Sequence, residues 1–216
     1  MTAVAPPAGH ARLSVKALVL AGAALTLLVA MALDTEVVRI GSDADIRAEG
    51  FSPEAFGAEQ FPRIQSNVEG RAVDAVTLAE AIAADRDAAA AEYGVPGGIG
   101  PIYPVAFTGT VGEGKSGVFD VAVPGMPEDT RVRVQTGPAV NGTELRDFPG
   151  DIVFGDFTNQ IEFQNAGAAI NDTLKAQVLN DLDRDAMTGR EMSVVGVFRL
   201  VNPKMWLITP VKLSVK

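Results

Sequence analysis

The sequence contains no cysteine and only one histidine, and these two shortages exclude several chemistries at once. Without cysteine there is no disulfide, no thiolate nucleophile, no cysteine-bound zinc or iron–sulfur cluster, and no lipid-acceptor cysteine. The one histidine, His10, precedes a long apolar run, so the folded part cannot hold a histidine-based triad or an imidazole metal cluster. We therefore expect neither a metal site nor a cofactor.

Basic residues are also scarce. The chain of 216 residues has 18 Lys and Arg against 27 Asp and Glu, which gives a formal net charge of -9. Arg12 and Lys16 precede the first acidic residue, Asp34, so the remainder carries 16 basic and 27 acidic residues, a net charge of -11. Nucleic-acid binding depends on neutralising phosphates, so we expect no nucleic-acid partner.

Residues 17–32 form an apolar run of 16 residues that follows Lys16. At about 1.5 Å per residue it covers roughly 24 Å, short of the ~30 Å hydrocarbon core unless Leu33 and a snorkelling Lys16 extend it. Ala30-Met31-Ala32 has the small-x-small form of a signal-peptidase site. Residues 1–33 are therefore interpreted either as an inner-membrane anchor through 17–33 or as a signal peptide cleaved after Ala32. The basic flank predicts that everything beyond this segment is extracytoplasmic.

Residues 34–100 are predicted to be a short strand and a helical region, ending in a linker rich in glycine and proline. Glu36–Ile40 is strand-like, and Ser52 followed by Pro53 predicts a helix start. We expect a break at Phe61-Pro62, because proline is disfavoured inside helices. Thr77 is expected to cap a second helix that continues to Tyr93.

Residues 101–216 are predicted to be a β domain. Its strand-like runs alternate with turn residues, and one apolar-faced helix, 159–182, separates the third run from the fourth. The runs are Tyr103–Val111, Gly117–Val123, Arg131–Gln135, Glu191–Val201 and Trp206–Val215. The order of three strands, a helix and two strands predicts an α+β, mainly β fold: a five-stranded OB-fold-like barrel with the helix plugging one end. An immunoglobulin-like sandwich ranks second, since it needs about seven strands and no such helix.

Two motifs suggest chemistry that their context does not favour. Residues 112–117 contain Gly-Lys-Ser, but a phosphate loop needs a helix directly after it, whereas the following residues are strand-like. We interpret them as a hairpin turn. The acidic run 181–185 resembles half of a calcium loop, yet Ala186 and Met192 occupy the positions where glycine and glutamate are required.

The polar stretch 135–171 is the best candidate for a binding site. Its amides and one Arg/Asp pair offer the donors and acceptors that sugar hydroxyls and peptide groups use. The alternative is that these groups satisfy the backbone of a long loop, with Arg146-Asp147 bracing it. The predicted ligand- or partner-binding residues are Asn141, Arg146, Asp147, Asn159, Gln160 and Gln164.

The run Arg131–Pro138, the segment Phe154–Ile161 and the closing Asn202–Leu207 are distinctive. They resemble the uncharacterised DUF2291 family over about residues 34–216. The resemblance implies a periplasmic lipoprotein or anchored protein, often encoded beside ABC-type sugar-uptake components. Because this chain has no cysteine, its anchor must be proteinaceous, or absent after cleavage.

The resulting functional hypothesis is a non-enzymatic extracytoplasmic binding or accessory component, which the resemblance links to an ABC-type uptake system for a sugar or other small solute. Its expected partners are the inner membrane, transporter components or a small polar solute. One alternative is a hydrolase that uses carboxylates near Asp147 and Asp156. Another is a structural envelope protein.

Overall fold

The computed structural model describes residues 15–35 and 50–216. The chain divides into two compact units, Met1–Ala48 and Glu49–Lys216. In the first unit, Val15–Asp34 form helix α1, whose described side chains are exposed. Within the described residues, no helix combines the length and the hydropathy that crossing a membrane requires. The expected strand Glu36–Ile40 lies outside the described part of the chain.

Helix α2 (Pro53–Arg71) begins at Ser52, whose hydroxyl accepts a hydrogen bond from the Ala55 amide at 3.4 Å. The predicted break at Pro62 is wrong, because α2 continues through it. A proline inside a helix costs about 3 kcal/mol. The same helix buries one complete face, and each large apolar side chain gains roughly 1.5–3 kcal/mol on full burial. The fully buried residues of this face are Phe61, Ile64 and Val68.

Helix α3 (Ala75–Ala84) follows β1, a strand of two residues (Val73–Asp74). Asp74 caps α3, and its carboxylate accepts from the amides of Val76 at 3.0 Å and Thr77 at 3.1 Å. The expected cap, Thr77, is therefore a residue of the first turn.

Helix α4 (Arg86–Tyr93) is separate from α3. Asp85 interrupts the helical path with an extended backbone and caps α4 by accepting from the Asp87 amide at 2.9 Å. The predicted end of the helix at Tyr93 is confirmed, and the Gly94 amide after it donates to the carbonyl of Ala90.

Five strands close into a barrel. They are β2 (Ile102–Lys115), β3 (Val118–Ala122), β4 (Arg131–Gln135), β5 (Glu191–Arg199) and β6 (Met205–Val215). The order is β2-β3-β4-β6-β5, and β5 pairs with β2 to close the ring. Only β4 and β6 are parallel among these pairs, and β1 adds a short parallel pairing to the outside of β2. The predicted OB-type barrel is therefore present.

The turn between β2 and β3 lies later than the sequence suggested. Residues 112–115 belong to β2, which bulges between Val111 and Gly114, and the turn is Ser116-Gly117. Both turn residues have positive φ, 53° and 77°. Two such residues match the twist of a hairpin. Gly114 and Lys115 therefore end β2 and lead into a hairpin turn, and they form no phosphate loop.

The connection from β4 to β5 contains two α-helices, α5 (Glu144–Asp147) and α6 (Gln160–Leu174), and α6 continues as a π-helical turn, Lys175–Leu179. Two 3-10 turns, Phe154–Asp156 and Arg184–Ala186, lie in the same connection. The π turn adds one residue to the helical repeat. Leu179, rather than Val178, therefore follows Leu174 into the core.

The apolar face of α6 packs on α2 and does not plug the barrel. Ile170 and Leu174 are fully buried in a cluster with the α2 face and with Val197 and Val211 of the barrel wall. Val211 is the extra residue of a bulge in β6, where its carbonyl accepts from Gln65 Nε2 at 2.7 Å. The prediction that α6 plugs one end of the barrel is therefore wrong, because α6 packs between α2 and the barrel wall.

Helices α3 and α4 contribute to the barrel cluster instead. Leu78 and Ile82 of α3 share that cluster with the strand interiors. At its centre Phe198 stacks on Trp206, with ring centroids 4.4 Å apart. Helices α2, α3 and α4 thus belong to one compact unit with the strands that follow residue 100.

Two glycines of α2 give a test of this packing. A Cβ on Gly57 would lie 2.4 Å from the Ala169 carbonyl oxygen of α6, whereas a Cβ on Gly70 meets nothing within 4 Å. We expect Gly57→Ala to lower the free energy of unfolding by about 1–3 kcal/mol through overpacking. Gly70→Ala should raise it by up to about 1 kcal/mol through helix propensity. Urea titration measures both, and the same sign for both variants would contradict the contact between α2 and α6.

Candidate functional site

The polar stretch begins with a glutamine that holds the loop after β4. Buried Gln135 donates from Nε2 to the Asn141 carbonyl at 2.9 Å and to Thr209 Oγ1 at 2.8 Å, and its Oε1 accepts from the Asn141 amide at 2.9 Å. Asn171 Nδ2 donates to the Gly142 carbonyl at 3.0 Å. Gln135 and Asn171 therefore satisfy the loop backbone, while the Asn141 side chain is exposed.

Arg146 is buried, with 8% of its surface exposed. Its Nε and Nη2 both lie 2.8 Å from Asp147 Oδ1, and Nη1 donates to the Phe163 carbonyl at 3.1 Å. The guanidinium carbon lies 3.7 Å from the centre of the Phe163 ring. A cation over an aromatic face is attracted by the ring quadrupole. Arg146 thus joins α5 to α6.

Asp147 is shared between two arginines. Its Oδ2 accepts from Arg199 Nη2 at 2.9 Å and from Thr143 Oγ1 at 2.6 Å. Arg199 Nε also lies 3.5 Å from Glu144 Oε1. Two cations and two anions therefore form a charge-balanced network between α5 and β5, which we call the ion-pair network (Glu144, Arg146, Asp147 and Arg199).

Sequence reasoning missed Arg199. The sequence contains one weak indication that Arg199 is paired: this residue is the only cation within the apolar run Glu191–Val201. A charged side chain in a strand of a closed barrel needs a partner when it is buried. The Arg199 side chain is 10% exposed and meets that need through Asp147 and Glu144.

The first turns of α6 carry the other predicted residues. Asn159 caps the helix, accepting through Oδ1 from the amides of Ile161 at 2.9 Å and Glu162 at 3.0 Å. Gln160 and Gln164 are exposed. Neither amide forms a side-chain hydrogen bond to another described residue, so both are available to a partner.

The structure separates the predicted residues into two groups. Arg146 lies beside the start of α6 through Phe163, near Gln160. Asn141 adjoins Gly142, which Asn171 holds. Positions 160 and 171 are roughly 16 Å apart along a helix that rises about 1.5 Å per residue. Asn141 therefore lies toward the opposite end of α6 from Gln160, and Arg146, which also approaches Gly167, lies between them.

A surface that sequence reasoning missed adjoins this start. We call it the aromatic surface. It comprises the contacting rings of Phe51, Phe56, Phe154, Phe157 and Phe163, together with exposed Val153 and Ile161, which lie close to them in the sequence. Phe157 is the hub, with ring centroids 5.3 Å from Phe51, 5.7 Å from Phe56 and 5.4 Å from Phe163. Phe154 lies 5.7 Å from Phe163 and is 50% exposed, and Ile161 is 68% exposed. Exposed apolar patches of this kind mark interaction sites.

The charges around the aromatic surface are mostly negative. Glu54, Asp156 and Glu162 lie in the same three segments, and none has a salt-bridge partner among the residues that the structure describes. Arg63 pairs with Asp151, and its hydrogen bond lowers the pKa of the Asp151 carboxyl. Lys175 likewise pairs with Asp172, so both cations are neutralised locally.

The carboxylates considered for hydrolysis are not arranged as a pair in a cleft. Asp147 is held by two arginines, and exposed Asp156 accepts from the Val153 amide at 3.2 Å. Cavities of about 690, 610 and 480 Å³ are lined by other residues. No group of three metal-ligating side chains occurs in the described residues.

The fold and this surface define a class: an OB-type barrel with helices packed on its outside. Among solved structures, a crystal structure of an OB-fold protein from Thermotoga maritima is similar, with a TM-score of 0.62 and 19% sequence identity. The match covers 78% of this chain and 100% of that one. At this identity the similarity concerns the fold alone.

The family follows from the sequence match. Residues 22–214 match the family model described as predicted periplasmic lipoprotein (DUF2291), and the chain belongs to that family. The resemblance inferred from the sequence is confirmed. No curated protein matches the chain. Because the sequence contains no cysteine, it has no acceptor for the lipid that the family description implies.

Proposed function

We propose that this chain is a non-enzymatic extracytoplasmic component that binds a partner protein through the aromatic surface, as an accessory of a small-solute uptake system. The exposed aromatic surface beside Gln160 and Gln164 is the observation that carries the proposal. Aromatic side chains dominate the energetics of protein interfaces, and unpaired amides at the rim provide directional hydrogen bonds. The link to solute uptake rests on the family resemblance.

The ion-pair network supports this role indirectly. Because Arg146 and Asp147 bind one another, Arg199 and the α6 backbone, their charges are used within the domain. We infer that they hold the start of α6 and the Phe163 ring in place, and that the partner contacts the neighbouring exposed side chains. A preformed surface loses less entropy on binding.

Photo-cross-linking in living cells tests the binding role. We expect p-benzoylphenylalanine in place of Ile161 to yield an adduct with a membrane transport component, identified by mass spectrometry. The same amino acid in place of Lys212, exposed on the outside of β6, is the matched control and should yield none. Adducts of equal yield at both positions, or none at Ile161, would contradict a binding role for the aromatic surface.

Localisation forms a separate part of the proposal. Arg12 and Lys16 before the apolar run support an exported domain, tethered through 17–33 or released after cleavage at Ala32. We expect alkaline phosphatase fused after Lys216 to be active, because it folds only outside the cytoplasm. Amino-terminal sequencing of the mature protein then distinguishes an anchor from a cleaved signal. An inactive fusion would contradict the proposed export of the domain.

A further inference from the structure

We propose that the aromatic surface and the groove beside it bind an amphipathic helix whose apolar face is flanked by Lys or Arg. This inference rests on the proposed function and names the chemistry of the partner. Three features carry it: the shape of the surface along α6, its rigidity and its charge.

A groove along α6 adjoins the aromatic surface, because Phe51 of that surface directly precedes Ser52 at the groove. Exposed residues of α6 recur at steps of three and four from Ile161: Asn165, Ala168, Asp172 and Ala176 follow it, the last in the π turn. The groove between this row and the amino-terminal end of α2 has a volume of about 610 Å³. Two of its lining residues, Ala168 and Ala169, have small side chains that permit close approach of another backbone. Helices bind such grooves through anchors spaced at three and four residues.

The surface is held rigidly. Phe157 meets Phe51 and Phe56 in edge-to-face or nearly perpendicular contacts, with interplanar angles of 78° and 70°. Arg146 covers the other face of the cluster at Phe163 and is itself fixed by Asp147. Binding therefore requires little further ordering of these side chains. The entropy lost when side chains are ordered is one of the costs that weaken binding, and here it is small.

The charge distribution selects the partner. Glu54, Asp156 and Glu162 lie in the same segments as the aromatic residues, and none has a salt-bridge partner among the described residues. Asp172 lines the groove but is already paired with Lys175, so the three unpaired acids carry the attraction. An anionic lipid surface and a second copy of this acidic chain would both bring like charges together. A helix with basic flanks gains complementary pairs around the apolar contact. These charges favour a cationic amphipathic helix over both alternatives.

The test uses an 18-residue amphipathic Leu/Lys peptide and its Leu/Glu counterpart. The full chain, in uncharged detergent, carries a fluorophore on Gln164→Cys, a unique label because the sequence has no other cysteine. A second sample is labelled at Ser214→Cys, exposed on β6. We expect the Leu/Lys peptide to change the signal at position 164 only, and the Leu/Glu peptide to change neither.

Variants separate the specific contact from general attraction to an acidic protein. Phe154→Ser combined with Ile161→Ser should weaken Leu/Lys binding roughly tenfold or more, as loss of interface anchors does. Val201→Ser, which removes another exposed apolar side chain, should leave the affinity unchanged. Equal affinity for the double variant, or an equal response at position 214, would overturn the proposal. Stronger binding of Leu/Glu peptide or phosphatidylglycerol vesicles would overturn it as well.

The outcome is independent of the broader function. A cross-link at Ile161 in cells without binding of the Leu/Lys peptide would reject the cationic helix and retain the partner-binding role. Binding of the peptide without any cellular adduct would retain the chemistry of the surface and reject the proposed accessory role.

Discussion

Replacing Arg146 with alanine is expected to cost about 3–5 kcal/mol of stability. The side chain is buried, and its removal takes the donors from Asp147 Oδ1 and the Phe163 carbonyl. Arg199 is then the only cation of the ion-pair network and faces both Asp147 and Glu144, so one negative charge is left unbalanced. Breaking one partner of a buried pair costs this much because the remaining charge is left uncompensated. Urea unfolding of the variant measures the loss as a lower midpoint at an unchanged slope.

Arg63→Ala is the matched control. Arg63 also pairs with an aspartate, Asp151, but both side chains are about half exposed, and such pairs contribute about 1 kcal/mol or less. If Arg146→Ala unfolds at the wild-type midpoint and loses the cellular cross-link, Arg146 is a binding residue and the bracing role is wrong. A double-mutant cycle with Asp147→Ala separates the two contributions if both change.

Truncating Ile170 or Leu174 to alanine should each cost about 2–5 kcal/mol. Both side chains are fully buried between α6, α2 and the barrel wall. The cost combines lost transfer energy with a cavity that the rigid surroundings fill only partly. Leu174 lies just before the π turn, so its loss should also loosen the segment that positions Leu179.

Ile161→Ala provides the control within the same helix. This residue is 68% exposed, and surface substitutions usually change stability by less than about 0.5 kcal/mol. Similar losses for Ile161→Ala and Ile170→Ala would show that the two faces of α6 are not distinguished by burial, and would reject the packing described for α2 and α6.

The barrel was predictable because its information is local. Alternation of apolar residues along each strand, together with turn residues between strands, indicated all five barrel strands and their order relative to α6. The largest error within a strand concerned residues 112–115, where glycines that usually mark turns form part of a bulged β2. The local pattern of α6 likewise identified Ile170 and Leu174 as buried.

The packing partners were not predictable from such patterns. Periodicity shows that α6 has an apolar face, but not that this face meets α2, about 100 positions earlier in the chain. The continuity of α2 through Pro62 depends on that same contact. Helix propensities give the free-energy cost of Pro62, but they do not include the burial of the α2 face that offsets this cost.

The candidate site was partly predictable. The Arg146-Asp147 pair stands out in the sequence, but Arg199 joins it only after the chain folds. The aromatic surface draws on residues near 51–56, 153–157 and 161–163, three segments whose proximity the sequence does not express. Its phenylalanines are spaced without a helical or strand period, so no single window contains the signal.

The closure of the barrel between β2 and β5 also determines when the domain can fold. The two strands pair from Ile102 with Arg199 to Thr110 with Glu191, so the ring cannot close before most of the chain exists. A ribosome adds about 5–20 residues per second, which separates the completion of β2 from that of β5 by roughly 4–17 s. During this interval β2 lacks its partner β5, and the apolar face of α2 stays uncovered until α6 has been made. The nascent chain therefore stays open until its synthesis is nearly complete, the state in which a polypeptide can be threaded through a narrow channel.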